Sequence, residues 1–213
     1  MQFAFLVIFA YLLGSVPFAL IIAKAYGKDI RTIGSGNIGA TNLSRAIGKK
    51  WGYACFLLDV LKGLVPMLIA GGFISSHPET LELFLWLVVG CAAILGHVFS
   101  IYIGFKGGKG VATSFGVAMG LWPYFTICAA IAMVTWILFV LIFRYISLAS
   151  VIAAIVFSAA LVILTIVLEN WKWVNLWPLI LAAAAITLMI IFRHRENIRR
   201  IISGTEAKVL KKD

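Results

Sequence analysis

Apolar residues run in long blocks along this chain. Phe3–Ala23, Tyr124–Phe143, Ile146–Leu168 and Val174–Phe192 contain no charged side chain. Each is close to the ~20 residues a helix needs to cross about 30 Å of hydrocarbon. Two further blocks, Gly52–Ile74 and Leu83–Ile103, are interrupted only by Asp59, Lys62 and His97. The stretch Val111–Phe143 reads either as one overlong helix or as two helices broken at Trp122-Pro123, where proline disfavours a continuing helix. The pattern therefore predicts an all-α, polytopic membrane helix bundle rather than a soluble core, with residues 1–213 forming a single domain.

Charge decides the span count. With a break at Trp122-Pro123 there are seven spans, and every basic residue except Lys62 and Lys172 falls on one face. Six spans would move Arg144 and the basic C-terminal segment to the poor face. Basic loops stay cytoplasmic, so the N-terminus is expected outside and the C-terminus in the cytoplasm. The fourth span, Val111–Leu121, is then only about half the length of a membrane crossing. A half-helix of this kind is tolerated where protein buries it or where it borders a polar cavity.

Composition agrees: 63% of the 213 residues are hydrophobic and 12% charged, about half the charge of a soluble domain. The net charge of +10 follows topology and does not point to nucleic acid. Cys55, Cys91 and Cys128 lie inside apolar blocks at spacings that suit neither a zinc site nor a redox pair. The first block lacks a basic leader and reads as a retained span rather than a signal peptide.

Three polar segments break the apolar pattern, all on the basic face. In Gly34-Ser35-Gly36-Asn37-Ile38-Gly39-Ala40-Thr41-Asn42-Leu43-Ser44-Arg45 the glycines allow tight turns, and a helix from about Asn37 would offer its N-terminus to phosphate. Thr41, Asn42 and Arg45 would share a face of that helix, with the guanidinium able to grip phosphate through two bonds. A capped polar turn is the plainer alternative. In Gly104-Phe105-Lys106-Gly107-Gly108-Lys109-Gly110-Val111-Ala112-Thr113, glycine amides and Lys109 precede a helix start. This is not a Walker A sequence, since Gly110 rather than Ser or Thr follows the lysine. In His194-Arg195-Glu196-Asn197-Ile198-Arg199-Arg200-Ile201-Ile202, the isoleucines make an apolar stripe on a helix lying in the interface, and His194 and Asn197 share one face. Within the spans, Asp59 and Lys62 are three apart and read as an intramembrane ion pair supporting the site. His97 serves either a core hydrogen bond or that same support.

The motifs GSGNIGATN, GFKGGKGVAT and HRENIRR closely resemble those of the bacterial acyl-phosphate:glycerol-3-phosphate acyltransferases, the PlsY family, and the likeness covers most of the chain. The resemblance implies a seven-span, N-out enzyme of the bacterial inner membrane with its site facing the cytoplasm. Its members transfer a fatty acyl group from acyl phosphate to the 1-hydroxyl of glycerol 3-phosphate, giving lysophosphatidic acid and inorganic phosphate. It implies catalysis by Ser35, Asn37, Lys109 and His194. Gly36, Thr41, Asn42, Arg45, Gly107, Gly108, Gly110 and Asn197 would bind substrate, and Asp59, Lys62 and His97 would give structural support. No metal or cofactor is expected. The expected partners are the two small-molecule substrates, membrane lipids and a peripheral enzyme that produces acyl phosphate. The proton released in transfer would go to the departing phosphate or to His194. No His-x-x-x-x-Asp dyad is present: Tyr102, Arg199 and Glu82 stand five after His97, His194 and His77. A transporter of phosphorylated molecules or lipids is the rival reading, but it would place its site near the midplane between repeated halves, and no repeat is visible.

Overall fold

A computed structural model describes residues 2–76 and 78–209. His77, and Lys211 and Lys212 of the basic face, lie outside the described residues. The described chain is helical, and it divides into two compact units. One comprises the chain up to Ser76 together with Leu85–Leu121; the other holds the segment ending at Phe84 and everything from Trp122 onward.

The first unit begins with α1 (Gln2–Ser15) and α2 (Phe18–Ala25). The sequence predicts one uninterrupted span here, and the structure corrects that: the helix breaks at Val16-Pro17. Proline has no N–H to continue the ladder, and its ring collides with the preceding turn. The two pieces still form one apolar passage of 24 residues. The break strands backbone carbonyls in an apolar setting, where each needs a donor. Ser100 Oγ donates to the Ser15 carbonyl at 2.5 Å, and Lys62 Nζ donates to the Val16 carbonyl at 2.9 Å.

Next come α3 (Ala40–Ile47), α4 (Lys49–Gly71), α5 (Thr80–Val98, from Leu85 onward in this unit) and α6 (Val111–Gly120). Glycines let these helices approach at backbone distance, as small residues do in membranes. A Cβ at Gly63 of α4 would collide with the Thr113 carbonyl of α6, and one at Gly116 of α6 with the Val60 carbonyl of α4. The same holds between α1 and α5 at Gly14 and Gly96. α6 has 10 residues, as short as the sequence predicts. Its Thr113, Gly116, Val117, Ala118 and Gly120 are buried, which is how a half-helix survives at membrane depth.

The second unit contains α7 (Tyr124–Phe143), α8 (Ile146–Val167), α9 (Trp173–Arg193) and α10 (Arg195–Ile202). The break between α6 and α7 falls at the predicted Trp122-Pro123. Arg144, at φ 63°, makes the tight reversal from α7 to α8. Across α8 and α9, Thr187 Oγ1 donates to the Ala154 carbonyl at 2.9 Å, and between α7 and α8 Phe125 packs edge-on against Phe157. Among the described residues, six helical passages are long and apolar enough to cross a membrane, with α6 as a shorter apolar helix. Their outward faces carry large apolar side chains such as Ile142 and Ile166, as lipid contact requires.

Candidate active site

The first motif is a folded loop tied to its own helix. Asp29 accepts from the Arg31 backbone N–H at 3.0 Å and pairs with its guanidinium at 2.7 Å. That hydrogen-bonded guanidinium lowers the Asp29 pKa to about 2. Gly34 and Gly36 take positive φ values of 57° and 68°, which only glycine adopts without strain. α3 starts at Ala40, with Gly39 as its cap, later than the Asn37 start read from sequence. Asn42, buried in α3, holds the loop from within. Its two amide hydrogens go to the Ile30 and Ile33 carbonyls at 3.1 and 2.9 Å, and its Oδ1 accepts from the Ser35 amide at 3.1 Å. A Cβ on Gly34 would stand 2.5 Å from Asn42 Oδ1. Asn42 was expected to bind substrate; in the structure its amide hydrogens serve the loop. Ser35 and Arg45 are exposed, and Asn37 and Thr41 half-buried.

The second motif packs on the last turn of α5. The amide of Gly107 donates to the Val98 carbonyl and that of Gly108 to the His97 carbonyl, each at 3.0 Å. These two amides were expected to cradle phosphate, and they are engaged by α5 instead. Their need for glycine is close approach: a Cβ at Gly107 would strike the His97 carbonyl, and one at Gly108 the His97 ring at Nε2. Beyond them, half-buried Lys109 is followed by Gly110, whose φ of 84° caps α6. The opening amides of a helix lack internal partners and carry its positive dipole end, which suits an anion. In this first turn the hydroxyls of Thr113 and Ser114 are buried with no hydrogen-bond partner among the described residues. A buried unmatched hydroxyl costs about 1–3 kcal/mol, and a ligand rich in acceptor oxygens would remove that cost.

Behind this loop lies a buried charge cluster. Asp59 and Lys62, three apart on α4, pair at 2.8 Å with side chains 5% and 2% exposed. The Lys62 ammonium also lies 5.6 Å from the Phe18 ring centre and donates to Val16 across the proline break. His97 Nδ1 stands 3.7 Å from Asp59 Oδ1. Ser15, Asp59, Lys62, His97, Ser100 and Gly108 border a small polar cavity.

The second unit carries the third motif. His194, buried at the α9–α10 junction, donates through Nδ1 to the Ile190 carbonyl at 2.8 Å. The ring is thereby oriented, with Nδ1 as the protonated nitrogen of the neutral form. Asn197 Nδ2 donates to Glu206 Oε1 at 2.6 Å. Glu206 also accepts from Ser147 Oγ at 2.9 Å and from Arg200 Nε at 2.7 Å. Burial alone would raise the Glu206 carboxyl, but these three donors outweigh it and lower its pKa. Glu206 and Ser147 are absent from the sequence reading. The available signal was an acidic residue inside a basic C-terminal segment, nine positions past Asn197. The α10 helix leaves Ile202 83% exposed, consistent with the apolar stripe.

A family model described as glycerol-3-phosphate acyltransferase matches residues 4–204. The chain is 46% identical over 202 residues to a glycerol-3-phosphate acyltransferase of Geotalea daltonii, covering 94% of each. It is 44% identical over 208 residues to one of Aquifex aeolicus, covering 97% of this chain and 98% of that protein. Among solved structures, PlsY (YgiH), an integral membrane glycerol 3-phosphate acyltransferase, matches in its glycerol 3-phosphate form. The TM-score is 0.84 at 41% identity, covering 98% of this chain and 96% of that one. The lysophosphatidic acid form matches with a TM-score of 0.82 at 40% identity, covering 98% and 95%.

Proposed function

This chain belongs to the glycerol-3-phosphate acyltransferase family, and from that premise we propose that it moves a fatty acyl group from acyl phosphate to the 1-hydroxyl of sn-glycerol 3-phosphate. The protein is an integral membrane protein with several spans. The products are lysophosphatidic acid and inorganic phosphate. The observation that carries the acyl phosphate donor is the start of α6, where Lys109 precedes two buried hydroxyls, Thr113 and Ser114, with no hydrogen-bond partner among the described residues. A phosphate group supplies the acceptor oxygens that such a place lacks.

In this reading Lys109, Gly110 and the opening of α6 hold the phosphate of the donor, with Ser35 and Asn37 donating to it. Arg45, Thr41, His194 and Asn197 serve glycerol 3-phosphate. Asn42 shapes the first loop, and Glu206 orients Asn197. The mixed anhydride is already activated, so the protein chiefly aligns the hydroxyl with the acyl carbon and offsets developing charge. The hydroxyl oxygen bonds to the acyl carbon, the bond to the phosphate oxygen breaks, and the departing phosphate takes the hydroxyl proton. His194 orients and binds rather than acting as the base. Residues 1–213 are proposed as a single acyltransferase domain.

Purified protein in detergent should convert acyl phosphate and glycerol 3-phosphate to lysophosphatidic acid with one phosphate released per acyl group transferred. Uptake of phosphorylated solute into vesicles without product would identify a transporter instead.

We further propose a bacterial inner-membrane enzyme with seven crossings, its N-terminus outside and its site facing the cytoplasm. A reporter active only in the cytoplasm should be active when fused after Asp213 and silent when inserted near Pro78. Equal activity at both positions would remove the seven-span orientation.

A further inference from the structure

The reaction needs a phosphate loop held still, yet the loop's glycines leave its own backbone soft. What stiffens it lies on α5. The backbone bonds from Gly107 and Gly108 to Val98 and His97 set the loop against the last helical turn. The imidazole of His97 then fills the space over Gly108, close enough that even a methyl group there would meet it. The ring is 8% exposed, and its other side faces the Asp59 carboxylate. Asp59 is fixed by Lys62, and Lys62 by the carbonyl freed at Pro17. Ser100, three residues beyond His97, ties the same end of α5 to Ser15.

We infer that His97 is a positioning residue for the acyl donor: its ring, steadied by the Asp59–Lys62 pair, is the floor on which Gly108 rests, and this sets where Lys109 and the first turn of α6 stand. The inference rests on the assignment of that loop to the phosphate of acyl phosphate. The buried ion pair, which touches no substrate in this scheme, thereby acquires a purpose. It connects the proline break of the first span to the phosphate loop through one imidazole.

The test is a double-mutant cycle on the purified full-length enzyme, with His97→Ala, Gly108→Ala and both together. Each is assayed for kcat and for KM toward each substrate, with thermal stability measured in parallel. His97→Ala is expected to raise KM for acyl phosphate on the order of tenfold while leaving KM for glycerol 3-phosphate within about twofold, as displacement of one site predicts. Gly108→Ala should be at least as damaging in the native background, because its methyl meets the ring. With the ring gone that methyl has room, so Gly108→Ala in the His97→Ala background should cost roughly threefold or less, a strong coupling for two sites in contact. If His97→Ala does not fold, His97→Asn keeps an amide near Asp59, removes the ring edge over Gly108 and runs the same cycle. Independent, multiplying effects of the two substitutions would overturn the positioning role, whatever happens to activity. Coupling accompanied by a KM change for glycerol 3-phosphate alone would uphold the positioning role and overturn the assignment of the loop to the donor.

Discussion

Lys109→Ala and Arg45→Ala should each remove most acyl transfer while leaving a folded protein in the membrane. Hydrogen bonds to charged groups contribute about 1.5–3 kcal/mol, which corresponds to roughly ten- to hundred-fold in rate or affinity. Loss of Lys109 takes away the cation beside the α6 N-terminus, leaving the phosphate charge to neutral donors: helix amides, Thr113, Ser114, Ser35 and Asn37. The two variants should differ in which substrate suffers. Lys109→Ala should raise KM for acyl phosphate most, and Arg45→Ala should raise KM for glycerol 3-phosphate most. Kinetics with each substrate varied in turn, alongside size-exclusion profiles in detergent, will check this. Turnover near the native value in either variant would refute its phosphate-binding role.

The largest stability effect is expected at Lys62. Lys62→Ala leaves the Asp59 carboxylate buried without its closest partner, and leaves the Val16 carbonyl at the proline break with only the Phe18 amide as donor. Removing one member of a buried pair typically costs about 3–5 kcal/mol, whereas replacing both by apolar residues of similar size is often tolerated. Lys62→Ala and Asp59→Ala should therefore each markedly lower the temperature at which detergent-solubilised protein loses its fold. The Asp59→Leu/Lys62→Met double variant should recover much of the loss in stability, though not the full activity if the pair also steadies His97. A Lys62→Ala protein as heat-resistant as the native one would show that the pair carries no such load. A double variant no better than either single would mean that the Val16 carbonyl, rather than the uncompensated charge, dominates.

The membrane architecture was legible in the sequence because lipid demands helices and leaves long apolar blocks as their trace. The short α6 and the break at Trp122-Pro123 followed from block lengths, the proline position and the distribution of basic residues. The break at Val16-Pro17 was not legible. Hydropathy is blind to a helix interruption when apolar residues continue on both sides. What makes this one tolerable is a pair of donors, Lys62 and Ser100, that lie 46 and 85 residues away. The site shows the same division. Residue types announced phosphate chemistry at Gly34–Arg45 and Gly104–Thr113. The sequence could not say that Asn42 spends its amide hydrogens on Ile30 and Ile33, or that the Gly107 and Gly108 amides are taken by α5. A tertiary partner decides whether a polar group is offered to ligand or consumed by the fold, and local spacing carries no record of that partner. Glu206 was missed for the same reason, since its three donors come from α8 and α10.

If both substrates are held by their phosphate groups, the acyl donor must itself be an acyl phosphate, the mixed anhydride of the fatty acid with phosphoric acid. The direct test is a side-by-side assay of purified enzyme with glycerol 3-phosphate and either acyl phosphate, acyl-CoA or acyl carrier protein at equal concentration, following lysophosphatidic acid and inorganic phosphate together. Acyl phosphate should be used with one phosphate released per lysophosphatidic acid formed, and the two thioesters should give no product above background. Comparable rates with acyl-CoA would contradict the account, because a thioester offers no acyl phosphate for Lys109 and the α6 N-terminus to hold.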